Sequence, residues 1–382
     1  MNTPKLFKRV VYQIMQCCFS LFPVKRNRIF FISFYGKSYS DNPKAISHAL
    51  YKRYGSKFQY IWVLNHHDES VPNYIKTCKY NTLKMLYYMS TSHVWVSNFG
   101  LSKGTIKRRR QYYIHTWHGD KAFKKVLHDV PSRDGSKKYF FETDNADFML
   151  AGSSYGERQI RTAFLYQGNI LKEGTPRNDI FFTDTTYVRK KILTRYNLTD
   201  CENFILYAPT FRRNQKSSPF KIPFHYNKLI ELLEQQTNKK WKMLIRTHNA
   251  DKNRKIEDID NKYIVSVSDY PDTNEILTIP DILITDYSSI AGDYALTGKL
   301  IILYLSDIEQ YIEQDRDMYF DIKQSPYFQC YNEESLLNFI KNYNNIDSIQ
   351  NCKKILDFYG NFETGNASDK ISNIINSLYE KK

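Results

Sequence analysis

The chain has 382 residues, and 55 Lys and Arg against 40 Asp and Glu give it a formal net charge of +15. Because 42% of the residues are hydrophobic and only 14 are Gly and 12 Pro, the composition excludes a disordered, collagen-like or low-complexity chain. The length favours two globular domains, and the charge indicates a polyanionic partner: nucleic acid, an anionic membrane surface or a phosphate-rich substrate.

The first 26 residues predict an amphipathic helix that lies on a membrane surface. Apolar residues at positions 11, 14, 15, 18, 19 and 22 recur at helical spacing. Cations stand at both ends of this stripe, at Lys5, Lys8, Arg9, Lys25, Arg26 and Arg28. Such a helix suits anionic lipid, although packing on its own domain would explain the pattern equally well.

Cysteine spacing and hydropathy indicate the compartment. The six cysteines form no CxxC pair and have no His at zinc spacing, so neither a disulfide framework nor a structural metal site is expected. No run approaches the roughly 18 apolar residues that span a bilayer, and the start lacks a small-residue cleavage site. A reducing, cytosolic setting fits best.

Residues 27–185 alternate strands with helices, as a parallel sheet covered by helices does. The predicted strands are Arg28–Phe34, Tyr60–Leu64, His93–Ser97, Tyr112–Thr116 and Phe148–Ala151. The predicted helices are Pro43–Tyr54, Thr82–Ser90 and Ser154–Phe164.

A second series follows the Asp184-Thr185-Thr186 turn and fills residues 186–382. Its predicted strands are Phe204–Tyr207, Lys242–Arg246, Tyr263–Val265, Ile282–Thr285 and Leu300–Tyr304. Its predicted helices are Tyr187–Tyr196, Tyr226–Gln236, Ser289–Thr297, Glu334–Asn342, Ile349–Tyr359 and Ser368–Tyr379. The predicted fold class is α/β, with two Rossmann-like domains, a hinge near residues 180–190, and ligands beyond the carboxyl ends of the strands.

The first candidate catalytic motif follows the strand that begins at Tyr112. It reads His115-Thr116-Trp117-His118-Gly119-Asp120. A neutral imidazole is a suitable base for a hydroxyl near neutral pH, and Gly119 would let a ligand approach the backbone. On spacing alone either His115 or His118 could be this base, and a structural histidine is the alternative.

The second motif, Glu173-Gly174-Thr175-Pro176-Arg177-Asn178-Asp179, is typical of a turn because Gly and Pro fix its backbone. It presents Arg177 beside polar side chains, which makes Arg177 a candidate substrate-binding residue. The string by itself would also pass for an ordinary loop.

Two further motifs end strands of the second series. Tyr207-Ala208-Pro209-Thr210-Phe211-Arg212-Arg213 carries arginines, whose planar forks suit phosphate, and a solvated basic loop is the alternative. Ile245-Arg246-Thr247-His248 places a cation and an imidazole two residues apart. Both motifs predict contacts to an anionic ligand.

The fifth motif is Thr285-Asp286-Tyr287-Ser288-Ser289, which precedes a predicted helix. Asp286 can cap this helix, while Ser288, Ser289 and the amides of the first turn can bind an anion. A plain helix cap is the alternative, but it leaves the paired serines without a role.

The motifs favour a soluble donor that carries a pyrophosphate. The chain has neither a GxxxxGK[ST] loop nor a GxGxxG fingerprint, which argues against a P-loop hydrolase and a dinucleotide dehydrogenase. Asp258-Ile259-Asp260 lies among lysines and is more typical of a protein surface than of a metal site. We therefore expect no metal and no other cofactor.

Together, the strings WHGD, KK, GTPRND, YAPTFR, RTH and TDYSSIAGDYA, in this order and at these separations, resemble the CDP-glycerol glycerophosphotransferase family of teichoic acid and capsule biosynthesis. The resemblance runs from about Tyr112 to Asp321, where Arg316-Asp317-Met318-Tyr319-Phe320-Asp321 is similar to the family's RGxYFD element. It implies a GT-B type fold, with an acceptor domain at 27–185 and a CDP-donor domain at 186–382 around a central cleft. It also implies peripheral, monotopic attachment to the cytoplasmic face of the cell membrane.

The resemblance also implies a reaction. A polyol phosphate from CDP-glycerol or CDP-ribitol would be transferred to a hydroxyl of a lipid-linked teichoic acid or capsule precursor, and CMP would be released. By position, His118 matches the family's catalytic base, and His248 matches a histidine that contacts the donor's pyrophosphate. The residues that fall at donor-contacting positions are Arg212, Ser288, Ser289 and Arg316.

Two residues depart from the family's pattern. Asp120 stands where Thr or Ser is frequent, and Asn249 where Pro is frequent. Asp120 could orient His118, raise its pKa or meet an acceptor hydroxyl. These departures bear on the polyol and the acceptor more than on the reaction class.

Two other functions remain open from the sequence. A GT-B glycosyltransferase that uses a nucleotide sugar would share the fold and the anion site. A nucleic-acid-binding protein would account for the charge and for Lys107-Arg108-Arg109-Arg110, beside Tyr112 and Tyr113. That run could equally be a solvated loop or a groove for a polyphosphate acceptor, and we expect no nucleic-acid partner.

Overall fold

The structure is a computed structural model that describes residues 3–131, 143, 145–200, 202–210, 212, 220–247, 256, 262–314 and 317–381. The chain divides into two compact units. The first comprises Met1–Asp120, Leu127–Phe182 and Phe362–Lys382, and the second comprises Lys121–Val126 and Thr183–Asn361.

The first unit is built on a seven-stranded parallel sheet in the order β3-β2-β1-β4-β5-β6-β7. Its strands are β1 (Lys25–Ile32), β2 (Gln59–Val63), β3 (Ile75–Cys78), β4 (Ser92–Ser97), β5 (Tyr112–His115), β6 (Phe148–Leu150) and β7 (Asn169–Leu171). The central strands β1 and β4 are buried along most of their length because helices cover both faces of a parallel sheet.

The second unit is built on a six-stranded parallel sheet in the order β10-β9-β8-β11-β12-β13. Its strands are β8 (Glu202–Ala208), β9 (Lys240–Ile245), β10 (Ile264–Ser266), β11 (Ile282–Thr285), β12 (Leu300–Tyr304) and β13 (Phe328–Cys330). Two parallel α/β sheets confirm the predicted fold class, and every predicted strand corresponds to an observed one.

Helices flank both sheets. Those of the first unit are α1 (Thr3–Phe19), α2 (Asp41–Tyr54), α3 (Leu83–Thr91) and α4 (Ser154–Ala163). Those of the second unit are α5 (Thr186–Arg195), α6 (Tyr226–Thr237), α7 (Thr273–Leu277), α8 (Ile290–Tyr294), α9 (Ile308–Gln314), α10 (Glu333–Ile340) and α11 (Ser348–Tyr359). Short polar side chains begin several of them, as Ser153 does when its hydroxyl accepts the Gly156 N–H at 2.9 Å.

The C-terminal helix α12 (Ala367–Glu380) belongs to the first unit, whereas the sequence assigned 186–382 to one domain. Its buried face, with Ile371 and Ile375, packs into the core of the first sheet. Asp179 accepts the N–H groups of Ala367 and Ser368 at 3.0 and 2.7 Å. An apolar helical stripe shows that a helix is covered but not which sheet covers it. The assignment therefore followed chain order and placed α12 with the second sheet.

Helix α1 uses one side to pack on the first unit. Gln16 is buried, its side-chain oxygen accepts the Ile106 N–H at 2.9 Å, and Phe19 meets the ring of Tyr87 edge-on at 5.9 Å. The predicted amphipathic helix is therefore present, and it does dock on its own unit. No helix in the described part of the chain has the length and apolar character needed to cross a membrane.

Candidate functional site

His118 lies just beyond the carboxyl end of β5, in a setting that defines its tautomer. Its Nδ1 lies 3.1 Å from the backbone oxygen of Asn98, and its ring stacks on Phe99 at 4.3 Å between centroids. A carbonyl oxygen can only accept, so Nδ1 carries the proton and Nε2 keeps its lone pair. The half-buried imidazole is thus arranged as a proton acceptor at Nε2.

His115, the other candidate base, lies inside the first unit. Its side chain has no exposed surface, and among the described residues neither ring nitrogen has a hydrogen-bond partner. Burial and the nearby His118 lower the pKa of His115 to about 3. His115 is therefore neutral near pH 7, and its complete enclosure distinguishes it from the half-buried His118.

Asp120 connects the histidine segment to the next strand of the sheet. Its carboxylate accepts the Gly152 N–H at 2.8 Å and the Ser153 hydroxyl at 2.6 Å. A Cβ on Gly156 would lie 1.9 Å from the same carboxylate, so α4 approaches Asp120 more closely than any side chain would permit. These contacts indicate that Asp120 holds the loop after β5, and its catalytic role stays a prediction.

Arg177 lies in the interior of the first unit. Its Nη1 is 3.1 Å from Oδ2 of Asp41, and the two side chains are only 5% and 11% exposed. Its backbone N–H donates to the side-chain oxygen of Asn42 at 3.0 Å. The guanidinium is thus engaged with this unit's own residues, and substrate binding by Arg177 stays a prediction.

In the second unit, Arg212 and Asp286 come together at the carboxyl ends of β8 and β11. Arg212 donates through Nη2 to Asp286 at 2.8 Å and through Nε to Asp307 at 2.7 Å. Its guanidinium also lies over the rings of Tyr287 and Tyr311, 5.1 and 4.6 Å from their centroids. The arginine fork is therefore held in one orientation by two carboxylates and two aromatic rings.

Electrostatics reinforce this cluster. Burial by itself would lower the pKa of Arg212, but the carboxylates of Asp286 and Asp307 raise it above the usual arginine value. Burial likewise raises the pKa of Asp307, but hydrogen bonds from Arg212 and Tyr287 and the arginine charge outweigh it and lower that pKa. Arg212 and Asp307 are therefore both charged at neutral pH.

The start of α8 follows Asp286 directly. Asp286 accepts the N–H groups of Thr210 at 2.9 Å and of Tyr287 at 2.6 Å, so it braces two strand ends. Ser288 and Ser289 follow, both half-buried, and Ser289 caps α8 without a side-chain hydrogen bond. Their substrate contacts stay predictions.

Arg246 is directed into the second unit. Its Nη1 donates to the carbonyls of Val267 and Tyr270, both at 2.9 Å, and its Nη2 to the Thr273 hydroxyl at 3.0 Å. Burial lowers its pKa from the usual arginine value. Arg246 thus braces the segment between β10 and α7, and its predicted donor contact is not among these interactions.

Several predicted residues fall outside the described part of the chain, namely His248, Arg316, Asp258 and Asp260. Within the described part, no group of three or more His, Cys, Asp or Glu side chains could hold a metal ion.

Two residues that organise these sites belong to none of the predicted motifs. The backbone oxygen of Asn98, which directly follows β4, accepts the hydrogen bond from Nδ1 of His118. Asp307 follows β12 and pairs with Arg212. Examining every strand end for polar residues would have found Asp307, whereas Asn98 acts through its backbone oxygen, which the residue type does not reveal.

The basic run 107–110 divides between internal contacts and exposed charge. Lys107 pairs with Asp147, and Arg108 donates to the carbonyl of Phe22 at 2.7 Å. Arg109 and Arg110 are exposed. Two of the four basic residues therefore make contacts within the first unit, and the other two are exposed.

The chain is similar to known proteins over nearly its whole length. A family model described as CDP-Glycerol:Poly(glycerophosphate) glycerophosphotransferase matches residues 14–377. A teichoic acid poly(glycerol phosphate) polymerase of Bacillus spizizenii is 28% identical over 94% of this chain and 95% of its own length. A teichoic acid glycerol-phosphate transferase of Staphylococcus aureus is 30% identical over 97% of this chain and 98% of its own.

Other relatives match a smaller share. A poly(glycerol phosphate) polymerase of Staphylococcus epidermidis is 30% identical over 92% of this chain, which spans only 51% of that longer protein. A ribitol-phosphate polymerase of Staphylococcus aureus is 32% identical over 59% of this chain and 41% of its own length.

Solved structures agree with the fold. The wall teichoic acid polymerase TagF superposes with a TM-score of 0.84 and 27% identity, over 99% of this chain and 97% of that one. A TagF variant soaked with CDPG superposes with a TM-score of 0.83 and 26% identity, over the same shares of the two chains. A Listeria monocytogenes structure described as a UDP-N-acetylglucosamine 2-epimerase shares the fold alone, with a TM-score of 0.53 and 12% identity over 94% of this chain and 98% of that one.

Proposed function

Because the chain belongs to the CDP-glycerol:poly(glycerophosphate) glycerophosphotransferase family, and is a polyol-phosphate transferase of teichoic acid type, we propose that it transfers glycerol phosphate from CDP-glycerol to a hydroxyl of a lipid-linked acceptor. The acceptor is a teichoic acid or capsule precursor, and CMP is released. The observation that carries the proposal is the 3.1 Å contact between Nδ1 of His118 and the backbone oxygen of Asn98, which places the lone pair of the neutral ring on Nε2.

The proposed reaction is a single displacement at phosphorus. Nε2 of His118 takes the proton of the acceptor hydroxyl, whose oxygen attacks the β-phosphorus of the CDP-polyol. The bond between that phosphorus and the bridging oxygen breaks, and the electron pair leaves with CMP. Such transfers need little covalent chemistry from the protein, so orientation and charge neutralisation supply most of the rate.

Residues of the second unit are proposed to bind the donor. The start of α8, with Ser288 and Ser289, offers hydroxyls to phosphate oxygens, and Arg212 lies beside it in a fixed orientation. Arg212 is flanked by two carboxylates, so we assign it to orientation of the donor more than to neutralisation of its charge. His248 and Arg316 retain their proposed contacts to the pyrophosphate.

Glycerol is favoured over ribitol as the transferred polyol. The glycerol-type relatives of Bacillus spizizenii and Staphylococcus aureus match 94% and 97% of the chain, whereas ribitol-type relatives match 59% and 79%. CDPG in the soaked TagF variant supports the same donor.

CMP release from CDP-glycerol and from CDP-ribitol, with a defined lipid-linked acceptor, tests the donor and the base together. His118→Ala is expected to lower turnover by about a hundredfold to ten-thousandfold, because general-base loss costs that much. The matched control is His66→Ala, which removes an exposed histidine of the same unit and should retain full turnover.

Three outcomes would contradict the assignment. Faster release from CDP-ribitol would reverse the choice of polyol. A folded His118→Ala variant within tenfold of the unmodified protein would remove His118 as the base, and sugar transfer without CMP release would favour a glycosyltransferase.

Helix α1 is proposed to attach the enzyme to an anionic membrane surface. Its outward side leaves Val10 43% and Ile14 51% exposed, one turn apart, and Leu21, in the turn after the helix, is 88% exposed. Arg9 is exposed at one end of this strip. At the other end, the bond from Arg108 to the Phe22 carbonyl places the exposed Arg109 and Arg110 beside the helix terminus. An apolar strip with cations at both ends suits an interfacial helix.

Flotation with vesicles of neutral or anionic phospholipid tests this attachment. Ile14→Glu should weaken binding to anionic vesicles by about tenfold, because burying a half-exposed Ile contributes on the order of 1.4 kcal/mol. Ile349→Glu, at an Ile of the second unit that is 61% exposed, is the matched control. Equal binding of both variants, or equal binding to neutral vesicles, would refute the proposal.

A further inference from the structure

We infer that Asp41, Asn42 and Arg177, together called the Asn42 clamp, position the imidazole of His118 for proton transfer. The inference rests on the proposed role of His118 as the base. It assigns a function to the 173–179 motif and to the start of α2, neither of which the proposed reaction uses.

The segment before His118 has a backbone conformation that needs support. Trp117 has a φ of +54°, in the left-handed region where the Cβ of any residue except glycine is crowded. Such a conformation persists only when surrounding contacts over-determine it, and these residues concentrate at functional sites. The direction of the His118 side chain depends on this turn because the two residues are adjacent.

Asn42 supplies the support from the first turn of α2. Its side-chain amide donates to the carbonyl of Trp117 at 3.0 Å and lies 3.4 Å from that of Thr116. Its side-chain oxygen accepts the N–H of Arg177 at 3.0 Å. Asn42 is 1% exposed, so water cannot replace these bonds.

Asp41 and Arg177 hold Asn42 in place. One oxygen of Asp41 accepts the Asn42 N–H at 2.7 Å, and the other lies 3.1 Å from Nη1 of Arg177. Asp41 itself has a φ of +67°. Two adjacent residues of α2 are thus tied to Arg177, and Asn42 also ties that arginine's motif to the turn before His118.

Only an amide of this length meets all the requirements at position 42. Alanine offers neither donor nor acceptor. Aspartate has the same shape and can still accept from Arg177, but it directs an oxygen at the carbonyl of Trp117. Asn42→Asp therefore isolates the donated bond with little change in volume.

The experiment combines kinetics with a direct measurement of the His118 tautomer. Asn42→Ala and Asn42→Asp are expected to lower kcat about tenfold to a hundredfold, since small misplacements of reacting groups cost up to that much. The KM for CDP-glycerol should stay within about twofold. In ¹⁵N-histidine-labelled protein, the His118 signal, assigned from His118→Ala, should change from the Nδ1-protonated pattern to a mixture of tautomers.

Gln111→Ala is the matched control. Gln111 is buried, its amide donates to the carbonyls of Met89 and Ser92, and its side-chain oxygen accepts the Arg108 N–H. It lies at the opposite end of β5 from His118. With kinetics measured well below each variant's unfolding temperature, Gln111→Ala should leave both kcat and the His118 signal unchanged.

The inference is overturned if a folded Asn42→Asp variant keeps kcat within threefold, if its His118 signal matches that of the unmodified protein, or if Gln111→Ala loses as much. If the unmodified protein releases no CMP from CDP-glycerol, the proposed function fails instead. The tautomer comparison still tests the clamp in that case.

Discussion

Substituting Arg212 and Asp307, singly and together, will measure how strongly buried charge pairing stabilises the second unit. The guanidinium meets Asp307 at 2.7 Å and Asp286 at 2.8 Å, and the three side chains are 16%, 31% and 4% exposed. Asp286 and Asp307 thus share one cation in an environment that is poor in water.

The expected magnitudes follow from burial. Breaking a buried pair costs about 3–5 kcal/mol, because the remaining charge has no partner. Asp286 keeps backbone N–H bonds from Thr210 and Tyr287, so Arg212→Met should cost about 3 kcal/mol, at the lower end of that range. Asp307 is partly exposed, so its coupling energy with Arg212 should be about 1.5 kcal/mol.

The pair Arg195 and Asp269 is the matched control in the same unit. Its atoms also lie 2.7 Å apart, but the side chains are 46% and 62% exposed. Exposed pairs contribute little, so its coupling energy should be about 0.5 kcal/mol. The two cycles together separate the effect of burial from the effect of distance.

Urea unfolding followed by ¹⁹F NMR of 5-fluorotryptophan reports on each unit separately. Of the four tryptophans, Trp241 lies in the second unit, so its signal follows the relevant transition. Because Arg212 lowers the pKa of Asp307, the coupling should be complete above pH 5 and decrease as the pH falls through that lowered pKa. Equal coupling energies in the two pairs, or additive costs at Arg212 and Asp307, would refute this account.

Two further predictions concern the first unit. The pKa of His115 falls from 6.5 to about 3 on burial, so below pH 6.5 the unfolded chain takes up a proton that the folded chain does not. The free energy of unfolding should therefore fall by about 2 kcal/mol from pH 7 to pH 5, at about 1.4 kcal/mol per pKa unit. In urea titrations, His115→Leu should abolish this part of the pH dependence. Gly156→Ala places a Cβ 1.9 Å from the Asp120 carboxylate and should cost about 2 kcal/mol. Its cost should fall by about 1 kcal/mol in an Asp120→Ala background, and strictly additive costs in thermal unfolding would count against this contact.

The elements that the sequence predicted well are those with a clear apolar pattern. β1, β4, β8 and β11 are apolar runs bounded by turns, and α2, α6 and α11 have apolar residues at helical spacing. Their burial follows from their own pattern and needs no knowledge of the neighbouring elements.

The elements that it missed are short and take their form from their neighbours. β3, β7 and β13 have three or four residues each. They lie at sheet edges, where a strand has a neighbour on one side only, so half of its backbone groups are paired within the sheet. Helix α7 has five residues and forms where Asp272 accepts the N–H groups of Asn274 and Glu275. Propensity in such short segments distinguishes only some of them from loops, since β6 and β10 are equally short and were predicted.

The sequence by itself determined which residues are candidates, because polar motifs at strand ends can be recognised from residue types and spacing. The tertiary structure decided what each candidate touches. Arg177 and Arg246 look like phosphate ligands in the sequence, yet both are engaged inside their own units, while Asn42 and Asn98 belong to no motif and contact the segment of His118. Spacing specifies where a side chain starts, but burial and the partners brought close by folding specify which of its hydrogen bonds can form.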